Sequence, residues 1–348
     1  MLARFRARKR TALARAMSIV EDGRPGFEAL LHELHADLGG ARRIGITGPP
    51  GAGKSTLTSR LAKAYRAEEL EVGIVAVDPS SPFTGGALLG DRIRMNQLST
   101  DPGVFIRSMA ARGALGGVAT TTSEIADLYE AFGFSRVILE TVGVGQSELE
   151  IAATADTTVV VLVPESGDSI QAMKAGLMEI ADIFVINKAD RPGADRLAQE
   201  IEVMLHMRLG GGPAAAGHHG VSLRSVGKAA RARTRESAES EGGWAIPVIR
   251  TVAQSGEGID ELHRTLERHA VYLEESGELS RRRQRRLGDH VRAVAERQLR
   301  RLAWVDGQGE QILEKSLSAL ESGDESPYSV AARIVRAVVA STSAMNER

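Results

Sequence analysis

The chain is 348 residues long, with 44 Lys and Arg against 45 Asp and Glu and a formal net charge of −1, a size that fits one large α/β domain with appendages, or two domains. The near-neutral balance speaks against a general nucleic-acid binder, and the absence of cysteine excludes disulfides, thiolate metal sites and cysteine nucleophiles, which suits a reducing compartment. No apolar run approaches the roughly 20 residues of a membrane-spanning helix, so the reading is a cytoplasmic protein with neither nucleic acid nor membrane as partner.

Arg4, Arg6, Arg8, Lys9 and Arg10 crowd the start without the apolar core of a signal peptide. A solvated helix start fits them better than a transit peptide. Residues 1–40 read as a helical arm: Phe27, Leu30, Leu31, Leu34 and Leu38 recur on one helical face, and Gly39-Gly40 ends the run. From Arg43 onward strands and helices alternate, the pattern of a parallel sheet with crossover helices. The expected strands are Arg43–Thr47, Val72–Val77, Val104–Ile106, Arg136–Thr141, Thr157–Val163, Ile183–Asn187 and Val248–Ala253. The fold class is α/β: a mostly parallel sheet with helices on both faces over residues 41–272, and a helical extension at each end.

The first strand runs into Gly48-Pro49-Pro50-Gly51-Ala52-Gly53-Lys54-Ser55-Thr56, which has the spacing G-x-x-x-x-G-K-[ST]. A helix, Leu57 to Ala67, is expected after it. In that strand–loop–helix setting the glycines let backbone N–H groups converge on one anion, and the helix N-terminus adds its dipole. Lys54 would reach the β- and γ-phosphates, and the Ser55 hydroxyl would sit on Mg²⁺, so the sheet reads as that of a P-loop NTPase.

In parallel sheets ligands bind beyond the carboxyl ends of the strands, so the residues that follow strands carry the chemistry. Asp78, in Val77-Asp78-Pro79-Ser80-Ser81, and Asp91, in the later run Gly85–Asp91, are candidates for the Mg²⁺ shell or for positioning water; an N-cap role is the structural alternative. The Gly-rich turn Arg107 to Gly117 reads as a phosphate clamp, a switch or a plain loop. Glu140-Thr141-Val142-Gly143 stands where GTPases carry D-x-x-G: the acid reaches Mg²⁺ through water and the glycine N–H meets the γ-phosphate. Glu140 is one methylene longer than Asp, and the role can survive that.

Asn187-Lys188-Ala189-Asp190 follows the strand ending at Asn187. The Asp190 carboxylate can accept from both N1–H and the 2-amino group of guanine. Adenine offers neither donor and would leave the carboxylate unpaired, which a closed site penalises strongly. Asn187 would orient the loop and Lys188 cover the ring. The nucleotide expected is therefore GTP or GDP. A fourth loop, Val252-Ala253-Gln254, stands where GTPases place an S-A-K loop whose backbone N–H meets guanine O6; Ala253 matches, while Val252 and Gln254 do not. Between them, residues 210–243, which open with the low-complexity run Gly210 to Gly217, read as a surface insertion, with His218-His219 read as loop rather than metal ligands.

From about Glu274 the chain is helical and highly charged. Arg281, Arg282, Arg283, Arg285 and Arg286 form a basic run, read as a solvated face or a contact for an acidic partner. Leu287, Val291, Val294, Ala295, Leu299 and Leu302 follow as an apolar stripe. Further helices are expected around Ile312–Leu320 and from Pro327, so residues 273–348 form a C-terminal helical region.

The run Glu140 to Glu148, together with Val77–Ser81 and Gly85–Asp91, resembles the MeaB/ArgK GTPases, auxiliary proteins of methylmalonyl-CoA mutase and related adenosylcobalamin-dependent acyl-CoA mutases. The resemblance covers roughly residues 25–270 well and the tail more loosely. It implies a homodimer built by the C-terminal helices, with GTP binding and hydrolysis gating cofactor loading and protecting the mutase. It also implies a third switch at residues 167–174, with Lys174 a candidate for the catalytic assembly. Hydrolysis is expected to be slow alone and raised by the partner, because Val144 and Gly145, rather than a water-orienting Gln, follow Gly143. The insertion at 210–243 departs from the family pattern and leaves the mutase partner open. Two other readings stand beside this one. A metal-delivery GTPase of urease or hydrogenase maturation is weakened by the lack of cysteine, and an ATP-dependent small-molecule kinase is opposed by Asp190.

Overall fold

The computed structural model describes residues 1–78, 98, 100–110, 118–141, 147–164, 176–208, 243–305 and 307–346. Seven strands form one sheet: β1 (Arg42–Thr47), β2 (Val72–Asp78), β3 (Val104–Ala110), β4 (Arg136–Thr141), β5 (Thr157–Leu162), β6 (Ile183–Asn187) and β7 (Val248–Thr251). They lie in the order β3-β2-β4-β1-β5-β6-β7, and every pairing is parallel. All seven coincide with the expected strands. The largest boundary difference is β3, which runs to Ala110 because it stays in register with β2 as far as Asp78. β1 lies between β4 and β5, so the chain turns to opposite sides of it; a crevice at the carboxyl ends is expected there.

The helices are α1 (Leu2–Arg6), α2 (Arg10–Glu21), α3 (Phe27–Leu34), α4 (Lys54–Ala67), α5 (Val118–Phe132), α6 (Ser147–Thr154), α7 (Ala194–Arg208), α8 (Ile259–Glu275), α9 (Glu278–Trp304), α10 (Gly309–Ser322) and α11 (Pro327–Asn346). Strand alternation sorts them onto two faces. Ile44, Ile46, Val159, Val161, Ile183 and Val185 turn to one face and are covered by Leu57 and Leu61 of α4 and Ile259, Leu262 and Leu266 of α8. On the other face Val137 and Leu139 pack with Phe5, Leu13, Met17, Leu30 and Tyr129, so the N-terminal helices and α5 share one core. Val160, Leu162, Phe184 and Ile186 meet Leu197, Ile201 and Leu205 of α7 on the same side. Each such buried side chain contributes about 1.5–3 kcal/mol, so α4, whose Leu57 and Leu61 are fully buried, is held firmly at the edge where the phosphate loop begins.

Three arginines of the basic run at the start of α9 fold back onto the sheet rather than face solvent or an acidic partner, while Arg281 and Arg285 stay exposed. Arg282 binds both Asp182 carboxylate oxygens at 2.9 Å and the Asp156 carbonyl at 2.8 Å. Arg283 donates to the Gly39 and Ala41 carbonyls, each at 2.9 Å, and Arg286 binds Asp156 at 2.9 Å and the Thr154 carbonyl at 3.1 Å. These acceptors cluster at the amino ends of β1, β5 and β6, opposite the phosphate loop. Burial alone would raise the Asp156 carboxyl pKa, but Arg286 and Arg283 outweigh it and hold the group below its ordinary value.

The residues up to Arg286 form one compact unit and Leu287–Arg348 a second. Within the second, α10 and α11 pair and bury Val330 and Ile334. Leu287, Val291, Leu299, Leu317, Tyr328, Val335 and Val339 are exposed.

Candidate functional site

Four of the predicted motifs meet at the carboxyl edge of the sheet. β1 ends at Thr47, and Gly48, Gly51 and Gly53 all take positive φ, at 136°, 74° and 85°. A Cβ on Gly48 would collide with the Val161 carbonyl oxygen, so this position needs glycine for space as well as for conformation. The N-cap of α4 is Gly53, which has no side chain to close the first-turn N–H groups. Lys54, 5% exposed, lies across the loop, its Nζ donating to the Gly48 and Pro49 carbonyls at 2.8 and 2.9 Å. Ala52 is buried, while Pro50, Gly51 and Thr56 are exposed.

Behind the loop the Ser55 hydroxyl donates to Glu140 Oε1 at 2.6 Å. Glu140 is 3% exposed and stands beside Ile46 in register. The extra methylene relative to Asp thus still brings the carboxylate to the P-loop serine. The Thr47 and Thr141 hydroxyls, at the last positions of β1 and β4, are hydrogen-bonded at 3.1 Å, tying the two strand ends that carry these motifs.

Asn187 joins the base-recognition loops to the phosphate loop. Its side chain is 2% exposed. Nδ2 donates to the Ala52 carbonyl at 2.8 Å, and Oδ1 accepts from Thr251 Oγ1 at 3.1 Å and from the Ala253 N–H at 3.0 Å. Lys188 takes φ 57°, which turns the chain sharply after β6, and the Ala189 N–H is held by the Thr251 carbonyl at 3.0 Å. Asp190 is exposed and so accessible to a ligand at this edge. Ala253 is buried and Gln254 exposed. In this loop, expected to offer a backbone N–H to guanine O6, the Ala253 N–H is engaged by Asn187.

Asp78 ends β2 on the same edge and is described in its backbone alone. Asp91, Gly143, Lys174, the rest of 167–174 and His218-His219 lie outside the described residues, as does the insertion apart from Gly243. Arg107, a candidate clamp, binds Glu21 and Ser18 of α2, so it fastens the N-terminal arm to β3. Sequence reasoning missed Thr47, Thr251 and Arg60. The threonines could have been noticed as hydroxyls closing otherwise apolar strands. Arg60, six residues after Lys54, donates from Nε to the Ala253 carbonyl at 3.0 Å and from Nη2 to the Gln254 carbonyl, and nothing local announces it.

The family model for MeaB, the methylmalonyl Co-A mutase-associated GTPase, matches residues 13–308, and the chain belongs to this family. It is 41% identical to a protein of Pyrococcus horikoshii provisionally named a GTPase, over 97% of this chain and 98% of that one. It is 34% identical to the GTPase ArgK of Escherichia coli, over 93% of this chain and 91% of that one. It is 38% identical to the mouse methylmalonic aciduria type A homolog, a mitochondrial protein, over 70% of this chain and 52% of that one. Among solved structures it resembles one described as an LAO/AO transport system kinase, with a TM-score of 0.60, 26% identity, and coverage of 96% of this chain and 95% of that one. The chain is accordingly a MeaB-family GTPase with a guanine-nucleotide site.

Proposed function

We propose that this MeaB-family chain binds GTP with Mg²⁺ at the 48–56 loop, hydrolyses it slowly, and uses the cycle to gate cofactor loading in an adenosylcobalamin-dependent acyl-CoA mutase and to protect that enzyme. The observation that carries the nucleotide reading is the Asn187 side chain, which bonds the phosphate loop at Ala52 and the β7 end at Thr251 and Ala253. Phosphate loop and base loops are thereby spaced as one site. Asp190 then accepts from guanine N1–H and the 2-amino group, Lys188 covers the ring, and Lys54 and the α4 N-terminus hold the phosphates.

The donor set beside Lys54 fits Mg²⁺: a hydroxyl, Ser55 Oγ, and a carboxylate, Glu140, both oxygen ligands and 2.6 Å apart. Asp78 and Asp91 are the further oxygen donors proposed for that shell. Bound there, the cation would neutralise charge on the β- and γ-phosphate oxygens during transfer. The Gly143 N–H meets the γ-phosphate, and Lys174 joins the assembly when the mutase is bound. Val144 and Gly145 place no water-orienting group next to Gly143, which supports slow turnover alone. A homodimer is supported by the exposed apolar side chains of Leu287–Arg348, among them Val291 at 68% and Leu299 at 60% exposure. No helix of the described residues is long and apolar enough to cross a membrane, which is compatible with the cytoplasmic setting proposed.

Calorimetric titration with GDP, GTP and ATP tests the site. Asp190→Asn is expected to lose guanine affinity and gain xanthosine nucleotides, whose 2-oxo group accepts from the new amide. Affinity capture of a purified methylmalonyl-CoA mutase with GDP and with a non-hydrolysable GTP analogue tests the partner; absence of binding in both states refutes it.

A further inference from the structure

We propose that Arg60 is a positioning residue for base recognition: it turns the Ala253–Gln254 peptide so that the Gln254 N–H, rather than the Ala253 N–H, donates to the 6-oxo group of the bound purine. The proposal rests on the guanine-nucleotide reading above. The Ala253 N–H is spent on Asn187 Oδ1, 3.0 Å away. The neighbouring amides are spent as well. Val252 donates to the Glu257 carbonyl at 3.0 Å, and Ser255 and Gly256 both donate to the Val252 carbonyl, at 3.0 and 2.9 Å. Among the described residues, the Gln254 N–H alone in the run Val252–Gly256 has no protein acceptor.

Arg60 sets where that N–H points. Its Nε holds the Ala253 carbonyl at 3.0 Å and its Nη2 the Gln254 carbonyl. A trans peptide is planar, with its C=O and N–H on opposite sides, and the described chain has no cis peptide. Drawing the Ala253 carbonyl toward α4 therefore turns the Gln254 N–H away from α4. Two carbonyls held by two nitrogens of one side chain suit the rigid fork of a guanidinium and not the single point charge of an ammonium. Arg60 lies six residues, about 9 Å of helix, beyond Lys54, so one helix meets the phosphates at its start and sets the base-reading peptide further along.

The test is equilibrium titration of the full chain and its Arg60→Ala and Arg60→Lys variants with GDP, ADP and 6-thioguanosine diphosphate, in which sulfur, a weak acceptor, replaces the 6-oxo oxygen. Wild type should prefer GDP over the thio analogue by about fivefold, the scale of one uncharged hydrogen bond. Arg60→Ala should weaken GDP by about fivefold and the thio analogue by less than about twofold, with Arg60→Lys between. Equal weakening of both ligands, as general loosening of the loop would give, overturns the proposal. So does an unchanged GDP affinity or a wild type indifferent to the sulfur. Failure of the underlying guanine reading looks different, because wild type would then not prefer GDP to ADP. Thermal melting without nucleotide checks that Arg60→Ala is folded, and Arg60→Lys carries the same comparison if it is not.

Discussion

Replacing Asn187 with Ala removes three hydrogen bonds at once. It strands the carbonyl of Ala52, the Thr251 hydroxyl and the Ala253 N–H, each on a residue no more than 2% exposed. A buried polar group left without a partner costs about 1–3 kcal/mol. The hydroxyl can rotate toward another acceptor, so the total is set at about 3 kcal/mol rather than at the upper sum. At 348 residues that corresponds to a fall in melting temperature of about 4 °C. Thr251→Val removes one donor from Asn187 Oδ1, which keeps the Ala253 N–H, and should cost about 1 kcal/mol, or about 1.5 °C. Differential scanning calorimetry of the nucleotide-free proteins reads both. GDP titration should show Asn187→Ala weakened by more than about tenfold, because the phosphate and base loops are no longer bound to each other. Melting of Asn187→Ala within about 1 °C of wild type, or an equal cost for the two variants, would refute the view of Asn187 as the joint of the site.

Gly48→Ala should abolish nucleotide binding, because its Cβ meets the Val161 carbonyl, whereas Gly51→Ala, with nothing within 4 Å, should retain binding with a strain cost of only about 1–2 kcal/mol; GDP titration separates them. Burial, against the attraction of Asp182 and with help from Arg282, lowers the His269 pKa from 6.5 to about 4. The folded value lies below the unfolded one, so this stabilisation is present above about pH 6.5 and is lost as the pH falls toward 4, amounting to about 3 kcal/mol at the lower end. Urea unfolding at pH 7 and pH 4.5 should therefore show a smaller acid loss in His269→Gln than in wild type, and equal losses would contradict the assignment. Arg286→Ala should destabilise by about 2–3 kcal/mol through Asp156, while the exposed Arg285→Ala stays within about 0.5 kcal/mol, both read by chemical denaturation.

The seven strands were legible because buried parallel strands are short apolar runs, and Val159 to Val163 needs no context to be recognised. The Gly48–Thr56 loop and Asn187–Asp190 were legible because their chemistry depends on residue type at fixed local spacing, with conformations only glycine or a sharp turn allows. The side chains that join those pieces were not. Arg60 and Ala253 are 193 residues apart, and Asn187 and Ala52 are 135 apart. The run Arg281–Arg286 has the same composition whether solvated, offered to a partner or folded back, and it was only the convergence of β1, β5 and β6 at Asp156, Asp182 and Ala41 that folded back Arg282, Arg283 and Arg286. Likewise the sequence marks Ala253 as the residue at the base, yet the folded loop assigns its N–H to Asn187. Local sequence determines which groups exist and what backbone they can adopt. Which donor meets which acceptor depends on distances that only the packed sheet creates, and a buried group must take whatever partner packing brings within 3 Å or so.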